Sequence, residues 1–219
     1  MEEQKQSNSS SWLSRASSWQ FSIYAMGFAF LTYFCMYAFR KPFGAATYEG
    51  LEFLGTGIKL KTTFVIGQII GYTLAKYYGC KFCSEIGRSQ QAKALVIMIV
   101  IAEAALLGFA VLPASFKVLA IFINGIPLGM VWGLVSRYLE GRKTAELLFA
   151  GLSCSYIVAS SAVKAVGGWV MGQGVGKFWG QGVSELVGEG VSEFWMPVTT
   201  GAIFFLPFVV SVFFLNKLP

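Results

Sequence analysis

The sequence predicts an all-α integral membrane protein of six transmembrane helices. Three observations carry that reading. Of 219 residues, 55% are hydrophobic and only 13% are charged, about half the charged share of a soluble domain. The mean hydropathy is +0.62. The apolar residues gather into six runs, each near the ~20 residues a helix needs to cross a bilayer.

The runs follow in order. The opening MEEQKQSNSSSWLSR is polar and contains acids. It lacks a basic start, a short apolar core and a small-residue cleavage site, so residues 1–18 read as a cytoplasmic tail rather than a signal peptide. The six-helix bundle then covers 19–217. Its first run spans 19–39 and is open to continuing further; the second spans 62–78. The third, 94–112, and the fourth, 118–135, are joined by a tight turn at Pro113. The fifth spans 147–170 and the sixth 195–215.

Lys and Arg in the connections set the orientation. With the N-terminus inside, the inner segments hold Lys5, Arg15, Lys81, Arg88, Lys93, Arg142, Lys143 and Lys217. The outer ones hold Lys59, Lys61, Lys117 and Lys177. The inner side carries more, which puts both termini in the cytoplasm, with a bacterial inner membrane as the expected setting. The net charge of +6 then follows from topology and needs no nucleic acid.

Between the fifth and sixth runs an octapeptide is written three times: GQGVGKFW, GQGVSELV and GEGVSEFW. Its glycine content disfavours a rigid helix, and it carries no Asp for calcium. Residues 172–193 read as an outer loop grown by tandem duplication, which costs little closure entropy.

Composition excludes several chemistries. The chain has no His and no Asp, so a His-based catalytic or metal site is ruled out. Cys80 and Cys83 form a CxxC, but no second pair and no His accompany it for zinc. They read as small residues at a helix end. No cofactor is expected. One acid within a span, Glu103, does not make an acid–base pair, so the chain is not read as an enzyme. Glu103 is expected instead to partner a neighbouring cation.

The informative residues are ionisable groups inside the spans, each costing several kcal/mol in lipid unless it faces a cavity or a partner. Arg40 and Lys41 interrupt an uncharged stretch. Lys76 lies in the second run and Lys164 in the fifth, while Arg137 closes the fourth. Tyr37 is three residues before Arg40, and Tyr72 four before Lys76, so each pair shares a helix face. An arginine fork, a lysine and two phenols suit a phosphate or carboxylate. The competing reading has Arg40, Lys41 and Lys76 snorkelling to an interface. Hydropathy alone leaves both readings open, because Arg40's depth depends on where the first helix begins.

Three motifs in succession resemble one family. Tyr37-Ala-Phe-Arg40-Lys41-Pro-Phe43 is similar to the YxxRKxF of the first helix of the organophosphate:phosphate antiporters, in the major facilitator superfamily. Tyr72-Thr-Leu-Ala-Lys76 is similar to their second-helix Tyr-x-x-x-Lys. Gly129-Met130-Val131-Trp132, followed after four residues by Arg137, resembles their fourth helix. The resemblance covers all six runs. It implies the N-terminal half-bundle of a major facilitator fold. It implies that Arg40 binds a phosphoryl group and that Lys76, Tyr37 and Tyr72 line the same cavity. It assigns gating or structural roles to Arg137, Gly87, Arg88, Glu103 and Lys164.

The chain departs from the family in two places. Of the superfamily's GxxxDRxGRR between helices two and three, only Gly87 and Arg88 have counterparts in 80–89, and Glu85 falls one place late for the acid. The family's fifth-helix His is absent, although Lys164 lies in that helix.

A major facilitator pairs two six-helix bundles around a midplane site, and six runs supply one bundle. Three arrangements are expected: a truncated chain, a partner encoded separately, or a parallel homodimer. The expected partners are therefore the lipid bilayer, a small anionic substrate and a second half-bundle. The alternative function is a non-transporting membrane interaction protein or an inactive fragment, in which Arg40 and Lys76 would be dispensable.

Overall fold

The computed structural model describes residues 17–142, 144–173 and 191–218. Among the described residues the order is α1 (Ser18–Tyr37), a 3-10 turn (Pro42–Ala45), α2 (Leu60–Glu85), α3 (Arg88–Val111), α4 (Ala114–Ser136), α5 (Ala145–Gln173) and α6 (Met196–Leu215). Each helix coincides with one of the six apolar runs. Several extend beyond theirs, because polar turns such as Cys80 to Glu85 continue α2 past its apolar core. Most of the octapeptide segment, and nearly all of the N-terminal tail, lie outside the described residues.

Four helices are long and apolar enough to cross a membrane: α3, α4, α5 over Ala145–Gly172, and α6. These make the chain an integral membrane protein. The outward faces agree. Ile66, Ile69 and Ile70 on α2, Ile97 and Val100 on α3, and Leu206 and Phe213 on α6 are all exposed, the inverse of a soluble bundle. α2 is the more polar helix by composition, carrying Lys61, Lys76 and Lys81 beside its tyrosines.

The helices pack in a two-fold pattern. The main contacts pair α2 with α4 and α1 with α5, α3 with α4 and α6 with α1, and α3 with α6. Exchanging α1 with α4, α2 with α5 and α3 with α6 maps this set onto itself. The main contacts thus follow an approximate two-fold pattern, although the α5–α6 contact has no comparable α2–α3 counterpart.

The α2–α4 seam is built on small residues. A methyl group on Gly125 would lie 2.6 Å from the Gln68 carbonyl, and one on Gly129 would lie 2.7 Å from the Tyr72 carbonyl. Only glycine permits backbones this close. That approach fixes where Gln68 and Tyr72 stand relative to α4.

α1 begins with a capping box: Ser17 Oγ accepts from Gln20 N, and Gln20 Oε1 accepts from Ser17 N. It ends sooner than the apolar run suggests. Pro42 has no N–H to offer the Ala38 carbonyl, and the chain tightens through Arg40 N to Tyr37 O (3.1 Å) before the 3-10 turn. The break releases two carbonyls inside the bundle, and both are satisfied. Asn124 Nδ2 donates to Phe39 O (3.2 Å) and Gln68 Nε2 donates to Arg40 O (3.1 Å). Gln68 also donates to Asn124 Oδ1 (2.9 Å), and Asn124 donates to Ala102 O of α3 (3.0 Å). Irregular backbone at this depth survives because such partners replace water.

Beyond the break the chain climbs to Thr47 and Tyr48. Glu193, in the last octapeptide, accepts from Thr47 N at 3.1 Å and from Tyr48 N at 2.9 Å. This clamp holds buried Tyr48 at φ 51°, a left-handed conformation unfavourable for an aromatic residue. Burial first, and the Glu193 carboxylate second, push the Tyr48 phenol well above its ordinary pKa.

Candidate anion site

Arg40 sits on the broken segment, level with the middle of α2 and α4. Its carbonyl is held by Gln68, about 12 Å along α2 from Leu60, and the adjoining carbonyl by Asn124, about 15 Å along α4 from Ala114. Its side chain turns towards Tyr72, near the centre of α2. The guanidinium carbon lies 3.9 Å from the centroid of the Tyr72 ring and 5.6 Å from that of Tyr37. Lys76 Nζ lies 5.0 Å from the Tyr72 ring. One phenol ring thus serves two cations.

This contact has a chemical consequence. Stacking on a ring face attracts a cation without neutralising it. It also leaves the donors of a guanidinium, which lie in its plane, free to reach another group. Arg40 Nε is buried and donates to nothing among the described residues.

Further cations surround it. Lys41 is half-buried, with Arg40 and Lys164 as its charged neighbours. The Lys164 side chain lies against Gly44 in the 3-10 turn. Among the described residues no carboxylate is ion-paired with Arg40, Lys41, Lys76 or Lys164. An aromatic wall continues from the site: Tyr33 stands edge-on to Tyr37 at 5.6 Å and to Trp132 at 5.0 Å, and Trp132 meets Tyr156 at 6.3 Å.

Below Lys76 a cleft of about 490 Å³ runs between α2 and α4, lined among others by Lys76, Cys80, Met130, Trp132 and Glu140. Arg40, Tyr37 and Tyr72 do not line it, so Lys76 is the residue common to the cleft and the cation cluster.

The other sequence-predicted residues stand apart from the cluster. Arg137 donates through Nη1 to the carbonyls of Cys83 and Ile86, the latter at 2.7 Å, and so caps the end of α2. Arg88 donates to Leu218 O at 2.8 Å and lies 4.8 Å over Tyr138. Gly87 is the N-cap of α3, and a side chain there would meet only Ser89 Oγ at 4.0 Å. Glu103 corrects an expectation: it is ion-paired to no cation among the described residues, and it packs against Gly201 of α6 with Oε2 buried and without a hydrogen bond. All four cysteines are free, and Cys80 and Cys83 hydrogen-bond to the carbonyls of Lys76 and Met130.

Sequence reasoning missed Gln68 and Asn124, which hold the Arg40 turn; it named Lys41 beside Arg40 without placing it in the cation set, which Lys41 joins. The signal was present. An amide within an apolar run is costly unless it has a partner, and VIGQIIG and IFINGIP each contain one.

Fold and site together define a helical integral membrane protein with a cation cluster in which Arg40 and Lys41 are half-buried and Lys76 and Lys164 are exposed. Residues 42–219 match a family of unknown function, DUF5690, and the chain belongs to that family. The matched region begins just past Arg40 and contains Tyr72, Lys76 and Lys164. No curated protein and no solved structure matches the chain.

Proposed function

We propose that this chain forms one wall of a small-anion transporter of the major facilitator type, with an organic phosphate or inorganic phosphate as cargo. In this reading all six helices span a bacterial inner membrane, both ends are cytoplasmic, and a second six-helix bundle faces the site. The observation that carries it is the Arg40 guanidinium, stacked 3.9 Å from the Tyr72 ring and matched to no carboxylate among the described residues. A half-buried cation whose Nε is buried without a hydrogen bond is ready to take a counter-charge from outside.

The approximate two-fold pattern of the helix contacts and the interrupted first helix support the same reading, since such transporters bind cargo where helices break. The motifs of the first, second and fourth helices point the same way. Arg40 forks two phosphoryl oxygens, Lys76 adds a second charge, and the Tyr37 and Tyr72 hydroxyls donate hydrogen bonds. The bound anion relieves repulsion among Arg40, Lys41 and Lys164 and so favours the closed bundle. Cargo moves by exchange, with no His required to carry a proton.

The test is calorimetry of the purified chain in detergent with inorganic phosphate and small organic phosphates, with Arg40→Ala beside it. Saturable binding that the variant lacks is the expected result. Equal binding by both forms would remove Arg40 from the site and the proposal with it.

A further inference from the structure

A second cavity, of about 460 Å³, lies between α3 and α6. Its walls are Val96, Ile97, Val209, Val212 and Phe213, and its polar members, Lys93 and Asn216, belong to one end. That end is where α3 begins and α6 finishes. Ile97 and Phe213 are exposed, so the groove opens outward from the bundle.

Cations collect at the polar end. Lys93 is exposed and forms no ion pair among the described residues. Lys217 Nζ lies 4.5 Å over the ring of Phe213, a groove wall. Asn216 Oδ1 accepts from the Tyr138 hydroxyl at 3.1 Å, and no group among the described residues accepts from its Nδ2. Arg88 completes the surround, stacked on that same Tyr138 ring. The nearby carboxylate of Glu85 faces Lys81 instead, at 3.9 Å.

We infer that this groove binds one anionic phospholipid. An acyl chain lies along Val96, Val209 and Val212, and the phosphate rests between Lys93 and Lys217, with Asn216 Nδ2 donating to an oxygen. Three features select this occupant. The groove is apolar along about 6 Å of α6, which a soluble anion has no use for. It opens on the outward apolar face at Ile97 and Phe213, the kind of face that lipid covers in an integral membrane protein. Its charge is all of one sign at the end where head groups sit, the arrangement by which basic pockets between spanning helices hold anionic head groups. The inference needs only the membrane setting and stands apart from the anion-transport reading.

The experiment uses the full chain in neutral detergent, with bound lipid counted by native mass spectrometry. Dioleoylphosphatidylglycerol is titrated against dioleoylphosphatidylcholine, so that only the head group differs. The expected preference for the glycerol lipid is on the order of 30-fold, about fivefold for each lysine. Lys93→Gln with Lys217→Gln should bring it down to the choline level. Neither lysine donates a hydrogen bond to the fold, so the double variant should remain folded, checked by circular dichroism. Val96→Trp, which fills the groove, should lower occupancy by both lipids. Equal affinity for the two lipids, or a preference that survives the double variant, overturns the inference. So does displacement of the glycerol lipid by millimolar inorganic phosphate with both acyl contacts intact, which would assign the site to a soluble anion.

Discussion

Two groups of cations can be compared within this bundle. At the helix ends, Arg137 donates to Cys83 O and Ile86 O, and Lys117 donates to Phe109 O and Ala110 O at 2.7 and 3.1 Å. Lys61 donates to Ala46 O at 2.7 Å. These cations cap carbonyls that a helix end or turn leaves unpaired, where Arg137 and Lys117 also meet the negative end of a helix dipole. Beside the middle of α2, Arg40 and Lys76 meet an aromatic face instead, and Arg40 Nε donates to nothing among the described residues. The first group completes the fold. The second is held in place while its charge remains uncompensated, which a fold alone does not require.

The comparison breaks most readily at Arg40. Arg40→Lys keeps the charge and loses the planar fork. Phosphate affinity should fall by about a hundredfold, with thermal stability nearly unchanged, read by calorimetry and by a melting curve on the same preparation. A variant that binds phosphate normally would make Arg40 one more structural cation.

Arg137→Ala should do the reverse. It strands two carbonyls at the end of α2, a loss of about 2–3 kcal/mol, seen as a lower melting temperature. Phosphate affinity per folded molecule should stay the same. A drop in affinity without a drop in stability would move Arg137 into the second group.

Asn124→Leu tests the link between the two. It removes donors from Phe39 O and Ala102 O and takes an acceptor from Gln68. Stability should fall by about 2 kcal/mol. Affinity should also fall, by about tenfold, because the turn that aims Arg40 is no longer held. Loss of stability alone would mean that Arg40 is positioned by the Tyr72 stack without help from the amides.

Much of this was legible in the sequence, and the unread part has physical reasons. Six apolar runs became six helices because lipid demands length and apolarity together. Tyr72 and Lys76 share a face of α2 as their i, i+4 spacing requires, but Arg40 reaches Tyr72 from the turn beyond the end of α1, so its i, i+3 spacing from Tyr37 is not a helix-face relation. The depth of Arg40 was not legible. It depends on the helix stopping at Tyr37, which Pro42 hints at and which the Gln68–Asn124 pair makes tolerable. Those amides come from α2 and α4, so the condition is tertiary. The α3–α6 groove was hidden for the same reason: Lys93 and Asn216 are far apart in the chain and line one groove only because the start of α3 packs beside the end of α6.

The smallest effect is expected at Lys81 and Glu85, the one ion pair among the described residues. Its atoms lie 3.9 Å apart, with side chains 83% and 66% exposed. A solvated pair one helical turn apart contributes at most about 0.5 kcal/mol, so Glu85→Gln should leave the melting temperature and phosphate affinity unchanged within error. The variant also restores a free lysine near the groove end of α3. If it strengthened phosphate binding, long-range charge rather than the Arg40 geometry would govern the anion, and the division between the two groups of cations would dissolve. If it changed nothing while Arg40→Lys removed binding, the fork and its place on Tyr72 would be what distinguishes the second group from every other positive charge in the bundle.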